Sequence, residues 1–92
     1  MPFEWDEDKR QSSLAKLEVD FIRARLLFDG RAVVIDRSAY PCEERYLTIG
    51  IIDDLFYTVV WTPRDGKRRL ISARRARDDE KRAYRAVHGG GT

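Results

Sequence analysis

The densest group of chemically useful side chains is the ten-residue run RRLISARRAR, from Arg68 to Arg77. A guanidinium stays charged at physiological pH and can hold phosphate oxygens with two parallel N–H groups. From residue 63 to the C-terminus there are ten basic and four acidic residues, whereas residues 1–62 carry eight basic and twelve acidic ones. The formal net charge of +2 therefore conceals one strongly cationic end, which predicts attraction to phosphates.

Composition limits the classes to which the chain can belong. It has 92 residues, 42% of them hydrophobic and 37% charged, which is typical of one globular domain. The single cysteine, Cys42, excludes an internal disulfide, and the sequence has no Cys/His cluster that would hold zinc. The N-terminus is acidic, unlike a signal peptide, and no apolar run approaches membrane-spanning length. We expect a cytoplasmic protein that needs no cofactor and no metal and does not associate with a membrane.

A short strand and two helices are predicted near the N-terminus. Residues 3–5 alternate aromatic, acidic and aromatic side chains, which is the period of a strand, and Asp6 is a suitable cap for a helix over 7–16. A second helix is predicted over 19–28, because its apolar residues form one stripe and Asp29-Gly30 supplies a stop.

Four strands and a final helix are predicted after these elements. Turn residues bound each strand, and acidic residues fill the first turn of the helix, where the helix dipole favours them. The strands are 32–36, 46–52, 55–62 and 68–73, with turns at Asp53-Asp54 and 63–66, and the helix is 78–87.

Helices followed by a run of strands, rather than alternation of the two, predict the α+β class. We expect N-terminal helices, an antiparallel sheet of about four strands plus a short N-terminal strand, and a C-terminal helix. One domain over residues 1–88 and a flexible tail over 89–92 are expected.

The direction of the arginine side chains depends on the regularity of the last strand. In a straight strand Arg69 points to the same side as Ala73, whereas Ser72 and Arg74 point with Arg68 to the other side. A bend or a bulge would change this assignment.

Three segments in one order resemble the BrnT toxins of bacterial type II toxin–antitoxin modules. They are FEWD near the start, EERYLTIG in the middle, and RLISARRA followed by an acid and a tyrosine. The likeness runs from Phe3 to Tyr84. It implies a RelE-like toxin fold, a metal-independent endoribonuclease that inhibits translation and growth, and a cognate BrnA antitoxin that masks the basic active-site face. It also implies a complex of about two toxins and two antitoxins that binds operator DNA through the antitoxin.

The chain departs from the pattern of this family at two positions. Leu17 follows Lys16 where members often have a histidine, so a histidine mechanism is not available there. The family tends to have Thr or Ser three residues before the acid of the last helix, whereas here Arg77 precedes Glu80 by three. We therefore expect Asp78 to cap that helix.

Given the resemblance, we expect several basic side chains around the scissile phosphate, since positive charge must meet the negative charge that builds up there. Arginine is a poor general base, so a carboxylate or a tyrosine must move the protons. The expected phosphate-binding residues are Arg69, Ser72, Arg74 and Arg75, with Arg64 reaching in from the hairpin turn. The candidate proton carriers are Glu43, Glu44, Tyr46 and Tyr84.

Each assignment has an alternative. The arginine run can be a solvated surface or a docking site for an acidic antitoxin segment. Glu44 can pair with Arg45 across strands, and Tyr84 can pack through the apolar stripe of its helix with its hydroxyl at the rim. His88 adjoins the glycine tail, where a frayed end would not hold a catalytic base. The alternative function is a non-catalytic basic module that binds RNA or docks the antitoxin.

Overall fold

The computed structural model describes residues 2–17, 20–37 and 44–89. The strands are β1 Phe3–Trp5, β2 Val33–Arg37, β3 Tyr46–Ile52, β4 Leu55–Arg64 and β5 Lys67–Arg75. The helices are α1 Glu7–Leu17, α2 Phe21–Ala24, a 3-10 helix Arg25–Phe28 that continues α2, and α3 Asp78–His88. None of the helices in these ranges has both the length and the apolar character that crossing a bilayer requires.

One sheet contains all five strands, in the order β1-β5-β4-β3-β2. The α+β class is confirmed, and β2 to β5 are antiparallel as predicted. β1 instead joins β5 in parallel, with Phe3 opposite Arg68, so the sheet is mixed rather than antiparallel throughout. A parallel pair needs a long crossover, and here helices and three strands separate β1 from β5 in the chain.

Both long hairpins close with two residues at positive φ. Asp53 and Asp54 have φ of 50° and 66°, in agreement with the predicted turn. The second turn is Asp65-Gly66 alone, because Pro63 still pairs with Arg68 inside β4. The prediction that the turn spans 63–66 was wrong in its bounds. Two-residue turns with positive φ match the twist of the flanking strands, so the ladder continues up to the turn.

The N-terminal helices begin at capping aspartates. Asp6 Oδ1 accepts the N–H of Asp8 at 2.9 Å, as predicted for α1. Asp20 Oδ1 accepts the N–H of Ile22 at 3.0 Å, so α2 begins after Asp20, and Val19 lies outside the described residues. The second predicted helix is thus a short α-helix that tightens into a 3-10 helix.

α3 covers the predicted range and ends one residue later. Arg77, and not Asp78, occupies the position before its first residue, and the Arg77 N–H donates to Glu80 Oε1 at 2.8 Å. The Glu80 carboxylate therefore does the capping that was predicted for Asp78. Gly89, predicted to belong to the tail, ends the helix in the left-handed conformation with φ of 63°, and residues 90–92 lie outside the described ranges.

The two faces of the sheet differ in what covers them. The core face carries Val59, Trp61, Leu70 and Ala73, which are 0–7% exposed and pack with Phe21 and Leu27 of the α2 segment. The opposite face carries Thr58 and receives α3, and we call it the α3 face. The proposed chemistry depends on which arginines lie on which face.

Candidate active site

A β-bulge in β5 interrupts the alternation of its side chains. Val60 of β4 pairs with Ser72 of β5, and the next residue of β4, Trp61, pairs with Leu70. One step along β4 thus corresponds to two steps along β5. The residue left without a partner is Ile71. Such an extra residue shifts the following side chains to the other face.

This shift decides which residues share the α3 face. Leu70 and Ala73 both enter the core, at 1% and 0% exposure, although three positions separate them. Arg69, Ser72 and Arg74 consequently lie together on the α3 face, by their register with β4. The straight-strand prediction, which separated Arg69 from Ser72 and Arg74, was wrong because of the bulge.

The same register sends two other arginines of the run, Arg68 and Arg75, to the core face. Arg68 lies over the ring of Trp61, with 4.6 Å between Cζ and the ring centre. Arg75 is exposed and lies 5.7 Å from the ring centre of Tyr57. Arg75, expected at the phosphate, is therefore not brought together with Arg69 and Arg74.

Arg74 is held in a largely buried ion pair with Glu80 of α3. Its Nη1 and Nη2 lie 2.7 and 2.8 Å from the two carboxylate oxygens, and the side chains are 18% and 10% exposed. Thr58 Oγ1 donates to the same carboxylate at 3.0 Å. Burial alone would raise the pKa of Glu80, but the bonds from Arg74, the Arg77 N–H and Thr58 hold the pKa of Glu80 at about 2. Arg74 is thus a fixed charge rather than a mobile one.

Arg69 has a looser partner. Its Nη1 lies 3.6 Å from Oε1 of Glu4 in β1, and both side chains are 30% exposed. Glu4 was not among the predicted site residues, although the alternation of Phe3, Glu4 and Trp5 contained the signal. Two aromatic neighbours in the core leave the intervening acid on the opposite face, beside β5.

A groove of about 470 Å³ opens beneath the first turns of α3. Its lining combines apolar side chains with charged side chains of both signs. It is lined by Asp36, Arg37, Leu47, Ile49, Arg74, Arg77, Asp79, Glu80 and Ala83. Arg77, which was not among the predicted site residues, thus joins Arg37 and Arg74 as a third cation of the groove.

Arg64 keeps its place at the edge of this surface. It is exposed at the end of β4, two residues after Thr62, which pairs with Arg69. Residues two apart in a strand share a face, so Arg64 lies on the α3 face near the hairpin turn. Cationic side chains thus extend along β4 and β5 from the turn toward α3.

Three of the predicted proton carriers, Glu44, Tyr46 and Tyr84, make contacts with residues other than the arginines of β5. Glu44 accepts a hydrogen bond from the Tyr46 hydroxyl at 3.2 Å, and Tyr46 packs on Trp61 of the core face, with 5.0 Å between ring centres. Tyr84 is 7% exposed, and its ring packs edge-on against Phe56 of β4. Glu43 lies outside the described residues.

His88 is tied to the fold rather than frayed. Its Nε2 lies 2.9 Å from the carbonyl oxygen of Val33, and its ring lies 4.8 Å from that of Tyr84. The expectation that the glycine tail leaves it loose was wrong, because α3 extends to His88 itself. The contacts of His88 bind the end of α3 to β2, away from the arginines of β5.

The family model described as a ribonuclease toxin, BrnT, of a type II toxin–antitoxin system matches residues 5–80. No curated protein matches the chain. The matched range includes every arginine of the α3 face described above as well as Glu80, whereas Glu4 and Tyr84 fall just outside it. The resemblance stated from the three sequence segments is confirmed.

Proposed function

Because the chain belongs to the BrnT family of ribonuclease toxins of type II toxin–antitoxin systems, we propose that it cleaves RNA on the α3 face of its sheet. Membership implies an RNA substrate and an antitoxin partner. The observation that carries the location is the bulge at Ile71, which gathers Arg69, Ser72 and Arg74 on one face. The cationic C-terminal third thereby presents part of its charge on one surface.

Each of these side chains has a distinct role in the proposal. Arg69, loosely paired with Glu4, exchanges that contact for the scissile phosphate and grips its oxygens. Ser72 is half-buried and lies between Arg69 and Arg74 in the chain, and its hydroxyl donates a hydrogen bond to the same phosphate. Arg74 supplies a fixed positive charge, since its orientation is set by Glu80 before the substrate arrives. Arg64 contacts a neighbouring phosphate of the strand.

Glu4 replaces Glu44 and Tyr84 as the proposed proton acceptor. Its carboxylate is on the α3 face and in contact with Arg69, so a phosphate bound to Arg69 lies beside it. The 2′-oxygen of the RNA forms a bond to phosphorus while the bond from phosphorus to the 5′-oxygen breaks. Glu4 takes the proton of the 2′-hydroxyl, and the departing 5′-oxygen takes a proton from solvent. Positioning and electrostatic stabilisation supply the rest of the acceleration.

The finer parts of the function follow from the family likeness. We propose that the reaction needs no metal ion, that it takes place in the cytoplasm, and that it stops translation and growth. The antitoxin is of the BrnA type and covers the α3 face, in a complex of about two copies of each chain that binds operator DNA through the antitoxin. The fold is proposed to be of the RelE type.

One observation favours a second candidate, a basic module that binds RNA or its antitoxin without cleavage. Both terminal nitrogens of Arg74 are engaged by Glu80, so that guanidinium has less to offer a phosphate than a free one. A surface of this kind can attract RNA electrostatically and leave it intact.

The deciding experiment is incubation of the purified protein with naked RNA in the presence of a chelator. We expect cleavage that Glu4→Gln and Arg69→Gln abolish and that Arg75→Gln, the matched control on the core face, leaves intact. RNA that is bound but not cut would support the second candidate. Cleavage that appears only after a divalent metal is added would refute the metal-independent mechanism.

A further inference from the structure

Arg68 lies in a cage of aromatic rings on the core face. Its Cζ lies 4.1 Å from the ring centre of Phe28, 4.6 Å from that of Trp61 and 5.7 Å from that of Phe3. We call Arg68 with these three rings the Arg68 cage. Its backbone is fixed as well, because the Arg68 N–H donates to the carbonyl of Pro2 at 2.7 Å. The guanidinium is therefore positioned by its surroundings and has little freedom to turn toward a distant partner.

The charge of Arg68 has no counter-ion in the part of the chain that the structure describes. Its Nε is buried and makes no hydrogen bond within residues 2–17, 20–37 and 44–89. Burial lowers the pKa of Arg68, since water is partly removed from the charged group. By contrast Arg10, Arg31, Arg69 and Arg74 each have a carboxylate partner. Nε itself is too deeply buried for an outside ligand to reach, so an external anion would meet the terminal nitrogens of the guanidinium.

We propose that the Arg68 cage is a second docking site for the antitoxin, separate from its contact with the α3 face, and that it receives a carboxylate side chain of the antitoxin. The terminal nitrogens Nη1 and Nη2, which form the outer edges of the guanidinium, are not among its buried atoms without a partner, so those edges are open to a ligand. A planar carboxylate matches those edges with two parallel hydrogen bonds. In surroundings that are already partly desolvated such a pair is stronger than one formed in open water.

The position of the cage favours a protein over RNA. Arg68 and Arg69 are adjacent in β5 but lie on opposite faces of the sheet, so a strand of RNA bound at Arg69 does not pass over Arg68. The helical segment that supplies Phe28 also exposes Ile22 and Leu26, which are 44% and 39% exposed. Apolar side chains around an arginine are the composition of a protein interface, in which arginine is a frequent energetic centre.

The inference rests on the antitoxin partner within the proposed function and not on RNA cleavage. The experiment is calorimetric titration of the full-length toxin with the cognate antitoxin. We expect Arg68→Gln to weaken the affinity tenfold or more, and Arg68→Lys to weaken it by less, because lysine keeps the charge but not the planar fork. Arg68→Met, which keeps the packing on the rings, should match Arg68→Gln if the lost charge is responsible. Thermal melting of each variant separates this effect from unfolding, and Arg68→Lys still decides the matter if the uncharged variants do not fold.

The partner residue can be identified by double-mutant cycles. Each acidic residue of the antitoxin is changed to its amide and titrated against wild-type toxin and Arg68→Gln. One amide variant should lose affinity for the wild type but not for Arg68→Gln. If no acidic position couples with Arg68, or if the Arg68 variants keep full antitoxin affinity, the proposal is overturned.

A parallel measurement with RNA tests the competing occupant. Binding of an oligoribonucleotide with a 2′-deoxy group at the cleavage site should be unchanged in Arg68→Gln. Loss of that binding with unchanged antitoxin affinity would assign the cage to a phosphate and refute the carboxylate. Failure of the wild-type protein to cut RNA would refute the proposed chemistry and leave the titration result standing.

Discussion

The two faces of the sheet use the same residue type in opposite ways. On the core face, Arg68 is held by aromatic rings and has no carboxylate partner among the described residues. On the α3 face, Arg74 is held by the Glu80 carboxylate and Arg69 is loosely paired with Glu4. A caged cation remains available to an external anion, whereas a cation in a buried ion pair is a fixed part of the fold. The arginine-rich run is therefore not one spatial cluster but two, divided by the plane of the sheet.

The largest expected effect concerns RNA cleavage and the separation of the faces. Arg69→Gln should lower the rate of RNA cleavage about 100-fold or more, because it removes the charge that faces the reacting phosphate. Arg75→Gln removes an identical charge from the core face and should change the rate less than about twofold, as expected for general screening alone. The rates are measured on one RNA at fixed ionic strength.

If the two variants lost the same fraction of the cleavage rate, only the total charge would matter and the two faces would not differ in function. Melting curves of both proteins serve as the control for folding. Neither side chain is buried, so both variants should remain folded.

The next effect concerns stability and tests whether Arg74 is structural. Glu80→Gln should lower the free energy of unfolding by about 3 kcal/mol, because it leaves the Arg74 charge largely buried without its counter-ion. Denaturation in urea measures the loss. Asp79→Asn, one residue earlier on the same helix and exposed, is the matched control and should stay within about 0.5 kcal/mol of the wild type.

The same ion pair predicts a pH dependence. The folded-state pKa of Glu80, about 2, lies below its ordinary value of 4.5, so the stabilisation is complete above pH 4.5 and is lost as the pH falls toward 2. At its full size, this contribution to the free energy of unfolding is about 3 kcal/mol. Stability of the wild type should therefore decline between pH 4.5 and 2 more steeply than that of Glu80→Gln. Parallel curves would show that the carboxylate titrates at its ordinary pKa.

Much of the fold was predictable from local patterns. The period of the strands, Asp6 as the cap of the first helix and the Asp53-Asp54 turn all place elements within a few residues of their observed bounds. The parallel pairing of β1 with β5 was not predictable, since nothing local distinguishes a parallel from an antiparallel neighbour. The 3-10 ending of the second helix depends on packing against β3, which the sequence pattern does not contain.

The site was less predictable, for one physical reason. A single extra residue at Ile71 reverses the direction of every later side chain in β5, and no local signal marks the bulge. Arg69, Ser72 and Arg74 were proposed from family likeness although straight alternation would have separated them. Glu4 was missed because its proximity to Arg69 arises from a pairing between the two ends of the chain.

A fourth prediction concerns packing on the core face. A Cβ added at Gly50 would lie 2.8 Å from Leu27 Cδ2 and 3.0 Å from Val33 Cγ1, closer than side chains normally approach. Gly50→Ala should therefore lower the free energy of unfolding by about 2 kcal/mol in urea denaturation. Gly66→Ala is the contrast: nothing lies within 4 Å of its added Cβ, and only its φ of 74° opposes a side chain, so a loss of about 1 kcal/mol is expected.

The smallest expected effect compares two arginine–carboxylate pairs of similar geometry. On the helical layer of the core face, Arg10 Nε and Nη2 lie 2.8 and 3.0 Å from the oxygens of Asp20, whose side chain is 26% exposed against 10% for Glu80. The hydrogen bond from Arg10 lowers the pKa of Asp20, so this pair too stabilises above the ordinary pKa and fades as the pH falls below it. Greater exposure means stronger screening by water and a smaller contribution. In urea denaturation, Asp20→Ala should lower the free energy of unfolding by about 1 kcal/mol, the usual value of a lost helix cap. Asp20→Asn retains the cap and should lower it by less. If the Asp20 variants lost as much unfolding free energy as Glu80→Gln, burial would not distinguish the two pairs. Arg74 on the α3 face could then not be described as held more rigidly than Arg10.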